Sequence, residues 1–209
     1  MAVGPLVRQL FGRHEPAVAA LYRSLFIDID ALADQVAQWA PDCRTILEVG
    51  CGEGAVTEQL VKRFPHARIV AIDITPRVGR LYRGDPARVQ FSQRTVQEVA
   101  AEHPGAFDLV LLCDVVHHVP DALRDGIFAA IGTALAPGGR FFFKDWGRSR
   151  TPIHWLCHAG DRWLTGDRVR YLDVSEGEAL ARRGLPGARI VDAAWVRPWR
   201  NNFAMLIER

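Results

Sequence analysis

Residues 46–54 read Ile46-Leu47-Glu48-Val49-Gly50-Cys51-Gly52-Glu53-Gly54, and the fold follows from them. Ile46 to Val49 is a short apolar run, the pattern of a buried central strand. Three glycines at alternate positions then make a turn that no side chain crowds. Ala55 to Arg63 continues with helical spacing, Val56, Leu60 and Val61 apolar, and Glu58, Lys62 and Arg63 polar. Strand, glycine turn and helix open a nucleotide-binding βαβ unit. The second strand, Arg68 to Ile72, ends on Asp73. That carboxylate lies about 20 residues past the glycines, where an acid holds the two hydroxyls of a ribose.

Two kinds of cofactor fit this pattern. Gly50, Gly52 and Ala55 satisfy a relaxed dinucleotide fingerprint, so NAD or FAD is one. The charges favour the other. A pyrophosphate on a helix N-terminus wants donors and positive charge around it, yet Glu48 and Glu53 flank the turn. Carboxylates suit a cofactor that carries positive charge, and S-adenosylmethionine has a sulfonium and an ammonium. Glu53 also reads as an acid favoured by the helix dipole. Glu48, inside a buried strand, is harder to explain without a partner.

Glu48-Val49-Gly50-Cys51-Gly52-Glu53-Gly54 followed by Asp73 resembles the class I S-adenosylmethionine-dependent methyltransferases. Phe107 to Val119 and Leu135-Ala136-Pro137-Gly138-Gly139-Arg140 resemble their small-molecule branch, which includes the ubiquinone and menaquinone biosynthesis enzymes. The resemblance covers roughly residues 40 to 145 well and the last strands loosely. It implies a Rossmann-like, doubly wound α/β sheet of seven strands, mostly parallel with one antiparallel strand, and an N-terminal helical extension. It implies S-adenosylmethionine as cofactor and S-adenosylhomocysteine as product, held by Glu48, Gly50, Cys51, Gly52, Gly54, Asp73, Ile74, Thr95, Val96 and Cys113. In that family an acid often meets the adenine amino group after strand three; Arg94 stands here instead, leaving backbone near Thr95 and Val96.

The 209 residues, 49% hydrophobic and of net charge +2, suit one domain that buries about 70% of its unfolded surface. No run reaches the ~18 apolar residues of a membrane span, and no signal pattern opens the chain, so a cytoplasmic enzyme is expected. Cys43, Cys51, Cys113 and Cys157 are too scattered for a zinc knuckle or a disulfide framework. Lys62 and Lys144 are the only lysines among 26 basic residues. The arginines are dispersed, which with the low net charge gives little pull on nucleic acid.

Residues 1 to 40 read as helices carrying Leu6 to Phe11, Val18 to Phe26 and, behind an Asp30 cap, Leu32, Val36 and Trp39. In the resembled family such an extension often forms a lid over the substrate, and the alternative is plain packing on the sheet. Thr75-Pro76 predicts a short basic helix with Arg77, Arg80 and Arg83. Val89 to Phe91, Phe107 to Leu112 and Arg140 to Lys144 read as strands three to five, and Ala122 to Leu135 as a helix. Ser175 is expected to cap a helix with Glu178 as its returning acid. Ala188 to Val196 and Phe203 to Glu208 read as the last strands, the final one antiparallel because their connection is too short for a crossover.

Methyl transfer needs a nucleophile aligned behind the methyl carbon, worth about 7–11 kcal/mol, and where needed a base worth 10²- to 10⁴-fold. His117 and His118 follow strand four and are the base candidates, with a structural role as the alternative. The Trp-rich stretch 146–174 joins the helical N-terminus as the expected acceptor pocket, with Asp145, Trp146, His154, Trp155 and His158 as its candidate contacts. His154 and His158, or Asp114 and Asp145, form pairs that would suit a metal, but each lacks a further ligand, so none is expected. The competing functions are a non-catalytic cofactor-binding module and an NAD-dependent reductase.

Overall fold

The computed structural model describes residues 27–160 and 169–209. The helical runs expected at 6–11 and 18–26, and Trp163, lie outside the described residues. The elements are α1 (Ile29–Trp39), β1 (Thr45–Val49), α2 (Ala55–Arg63), β2 (Arg68–Asp73), β3 (Val89–Gln93), α3 (Val96–Glu102), β4 (Phe107–Cys113), α4 (Asp121–Ala134), β5 (Leu135–Trp146), α5 (Pro152–Gly160), α6 (Val174–Gly184), β6 (Arg189–Trp195) and β7 (Asn202–Glu208).

The seven strands form one sheet in the order β3-β2-β1-β4-β5-β7-β6. Only β7 runs against its neighbours, pairing antiparallel with both β5 and β6. Helices cover both faces, so the strands are apolar on both sides. Leu47, Phe141 and Phe143 pack towards α3, α4 and α6 through Val99, Phe128 and Leu180. Ile46 and Phe142 pack the other way, onto Leu32 and Val36 of α1 and Leu60 of α2. Strand order reverses between β1 and β4, which opens a crevice at their carboxyl ends.

Several sequence expectations need correction. Asp28, not Asp30, caps α1, its carboxylate accepting from the Ala31 N–H at 2.9 Å. Asp30 instead faces Arg63 of α2 at 3.0 Å. The α6 cap is Asp173 with Glu176 returning, not Ser175 with Glu178. Ser175 donates to Asp173 at 2.7 Å. β5 starts at Leu135, which pairs with Phe107 before the register slips to Leu109↔Arg140. No helix follows Thr75-Pro76. Residues 76–81 are turns, because Gly79 takes φ +66° and docks on the glycine turn: its N–H donates to the Gly52 carbonyl at 3.0 Å, and Leu81 N–H to that of Glu53 at 2.9 Å. α3 was not anticipated, although Thr95 and Glu98 form a reciprocal capping box at its start.

Candidate cofactor and acceptor site

The turn after β1 is held by the end of β2. Gly50 and Cys51 N–H groups both donate to the Ile72 carbonyl, at 2.8 and 3.0 Å. The two Asp73 carboxylate oxygens accept from Gly52 N–H at 2.8 Å and Thr75 N–H at 2.9 Å. A Cβ at Gly50 would lie 2.2 Å from a Val115 methyl, so the loop after β4 closes directly onto the turn there. A Cβ at Gly52 would meet nothing within 4 Å. The turn is thus seated on one side and open on the other.

Beneath it Glu48 is only 5% exposed and accepts from the Thr57 hydroxyl at 2.6 Å. Burial raises its carboxyl to about 7, opposed by the Thr57 bond and helped by the nearby Asp73 charge. Thr57 had no signal in the sequence beyond its place on α2 facing the strand. Glu53 is engaged differently from expectation: Arg80 clasps it through Nε at 3.0 Å and a terminal nitrogen at 2.6 Å. Burial also pushes the Cys51 and Cys113 thiols up, keeping both protonated.

Ile74, next to Asp73, is 73% exposed, an apolar face at the rim of the crevice. Arg94 turns away and forms two bonds to Glu102, at 2.9 and 2.5 Å. The Thr95 side chain is used in its capping box, and Val96 is buried in the core. Their contribution to a ligand is therefore restricted to backbone, such as the first-turn N–H groups of α3.

The end of β5 governs the loop after β4. Successive strand residues face opposite sides, so Lys144 shares the α1–α2 face with Phe142 and Asp145 shares the other with Phe143. Lys144 donates to Asp114 at 2.5 Å. Asp145, fully buried, accepts from the His117 backbone N–H at 3.1 Å, from His117 Nδ1 and from its own neighbour Trp146 N–H at 2.8 Å. Burial by itself would raise the Asp145 carboxyl, but the His117 charge and these bonds outweigh it and hold it below its usual value. The carboxylate only accepts, so it places the His117 ring proton on Nδ1.

His117 stacks on Tyr171, ring centres 5.2 Å apart, and on His118 at 4.1 Å. Tyr171 is the floor of a cavity of about 280 Å³ that His154, Trp155, His158, Val169, Arg148 and Arg170 complete. His154 is 8% exposed, its Nδ1 has no hydrogen-bond partner among the described residues, and burial and His158 both lower its pKa. It therefore lines the cavity as a neutral imidazole. Trp155 is 66% exposed at the rim, whereas Trp146 is buried against Cys157 and Tyr171 and supports the floor from behind. Among the described residues no group of three or more His, Cys, Asp or Glu is placed to hold a metal.

Residues 46–139 match the family described as a methyltransferase domain. Over 187 residues the chain is 31% identical to the ubiquinone biosynthesis O-methyltransferase of Xanthomonas campestris pv. campestris (strain B100), covering 84% of this chain and 74% of that one. It is 34% identical over 166 residues to the enzyme of the same name from Xanthomonas euvesicatoria pv. vesicatoria (strain 85-10), covering 75% and 68%. The chain belongs to the S-adenosylmethionine-dependent methyltransferases. The fold of this methyltransferase agrees. It superposes on an S-adenosylmethionine-dependent methyltransferase in its apo form with TM-score 0.73 at 17% identity, covering 90% of this chain and 55% of that one. It superposes on the Burkholderia thailandensis 1,6-didemethyltoxoflavin-N1-methyltransferase, solved with 1,6-didemethyltoxoflavin and S-adenosylhomocysteine, with TM-score 0.70 at 18% identity, covering 98% and 88%. The chain spans little more than half the length of the first of these structures.

The cofactor of the methyltransferase is S-adenosylmethionine, and the crevice fits it. Gly52 leaves room for close approach. Carboxyl groups line the crevice, Glu48 beneath the turn and Asp73 beside it, and Asp73 retains lone pairs beyond the two N–H bonds it accepts. The NAD-dependent alternative falls with the family assignment.

Proposed function

We propose that this methyltransferase methylates a hydroxyl on an aromatic small molecule, held in the cavity between α5 and residues 169–171. The observation that carries the reading is the His117–Asp145 pair stacked against the floor of that cavity. Bound S-adenosylmethionine supplies a methyl group activated by its sulfonium. Asp73 would hold the ribose, Ile74 the adenine face, and Glu48 and the turn at Gly50, Cys51, Gly52 and Gly54 the amino-acid end, with Cys113 at the close of β4 beside it. His117, oriented by Asp145, is the residue that would take the acceptor's hydroxyl proton. His118 packs against His117 and shapes the same corner.

An amine carries its own lone pair and needs no base, whereas a phenol of pKa near 10 is a poor nucleophile until it loses its proton. A buried, oriented imidazole favours oxygen for that reason, and the names of the curated relatives point the same way. Trp155 and Tyr171 offer flat apolar walls, and His154 and His158 offer polar contacts. Arg148 is already paired with Asp173 at 2.8 Å and Arg170 with Glu176 at 2.6 Å, so the cavity suits an uncharged ring. Four cysteines that remain thiols accord with a cytoplasmic site of action.

The test is transfer of labelled methyl from S-adenosylmethionine to a panel of catechols and hydroxyquinols and their amino counterparts. Methylation of the hydroxyls, with His117→Gln lowering kcat by roughly 10²- to 10⁴-fold at unchanged cofactor affinity, supports the reading. Turnover only on the amines overturns it. Intact cofactor binding with no acceptor methylated would instead favour the non-catalytic module.

A further inference from the structure

We propose that Lys144, through Asp114, is a positioning residue for the cofactor turn. Asp114 has φ +57°, the only non-glycine residue with positive φ among the described residues. L-residues pay for that conformation unless their surroundings impose it. Here the surroundings are Lys144 twice over: its carbonyl accepts the Asp114 N–H at 3.0 Å, and its ammonium donates to the Asp114 carboxylate at 2.5 Å. The Lys144 side chain is fully buried and that of Asp114 is 21% exposed at the crevice.

The next residue shows what this conformation achieves. Val115 follows directly and presses its methyl group into the space a Cβ at Gly50 would fill. Two residues on, Asp145 pins His117 from the opposite face of β5. Consecutive residues of one strand therefore clamp both ends of the loop 114–118, and its middle is the wall against which the glycine turn rests. Lysine suits the position because a compact ammonium on a flexible stem reaches a single carboxylate, where the planar fork of arginine would need more room. This goes beyond the acceptor reading and depends only on the cofactor assignment.

The experiment is calorimetric titration of the full chain with S-adenosylhomocysteine, alongside thermal unfolding. Lys144→Met keeps the volume and removes the charge. The expected result is at least tenfold weaker binding with some loss of thermal stability, since Asp114 loses its ionic partner, a loss moderated by the 21% exposure that lets water reach its carboxylate. In the double variant Lys144→Met with Asp114→Gly, glycine takes positive φ freely, and affinity should return to within about threefold of the parent. Lys144→Met that unfolds at lower temperature yet binds like the parent overturns the proposal, as does a double variant that binds no better than Lys144→Met. Should Lys144→Met fail to fold, Val115→Ala keeps both charges and removes the contact with Gly50: several-fold weaker binding supports the proposal and unchanged binding contradicts it. A parent chain that gives no heat with S-adenosylhomocysteine would instead count against the cofactor assignment itself.

Discussion

Glu48 is a carboxyl whose chemistry departs far from its surface behaviour. Its carboxyl titrates near 7 instead of 4.5 because burial penalises the ionised form. The folded chain thus holds a proton there between about pH 4.5 and 7 that the unfolded chain releases. Stability from this group is full below the unfolded value and is lost as pH rises through the folded one, by roughly 3 kcal/mol at most. Glu48→Gln should abolish that slope, so denaturant unfolding at pH 5 and pH 8 should show the variant gaining on the parent at the higher pH. Parallel pH dependence of the two chains would refute it. Glu48 was legible in the sequence because an acid inside an apolar run demands an explanation. Lys144 was not, because a single lysine after three phenylalanines reads equally well as a strand end meeting solvent; only the structure shows its side chain inaccessible. His154 was readable as a polar residue on a helix, but its unpartnered nitrogen depends on packing that no spacing reveals.

The elements that were legible are those with a local signal strong enough to survive packing. β1, β2, β4 and α4 carry apolar runs or helical periodicity bounded by glycine or proline, and they stand within a residue or two of expectation. The stretch after β2 failed because Thr75-Pro76 is a genuine helix-start signal that Gly79 overrides. Its positive φ and its fit against Phe91, where a Cβ would come within 2.6 Å of the ring, make a docked turn. Gly79→Ala should therefore cost about 1–3 kcal/mol in stability and weaken S-adenosylhomocysteine binding, because the same turn braces Gly52. Denaturant unfolding and calorimetry on one preparation measure both, and a variant matching the parent in each would show that the turn is not seated as described. α3 was missed for a different reason: its seven residues are too short for periodicity to stand out, although the Thr95–Glu98 box was present to be read.

For the whole molecule, the glycine-led βαβ opening and the short connection before β7 were enough to anticipate a doubly wound sheet with one reversed strand. What the chain could not reveal before folding is that residues more than 60 positions apart meet at one crevice. β1 supplies the turn, β2 the Asp73 carboxylate, β4 the loop and β5 the clamps. The proposed acceptor cavity is further removed, since it is built from α5 and the residues before α6; it meets the loop after β4 where Tyr171 stacks on His117 and the Arg170 N–H donates to the His117 carbonyl at 2.9 Å. The cofactor crevice is central to this fold, and Asp73 probes it most directly because it closes the turn and is the acid expected to meet the ribose. Calorimetric titration of the parent and of Asp73→Ala with S-adenosylhomocysteine should give one site per chain in the parent and binding at least tenfold weaker in the variant, the loss of charge-assisted hydrogen bonds worth about 1.5–3 kcal/mol. No binding to the parent, or equal binding to both chains, would contradict it.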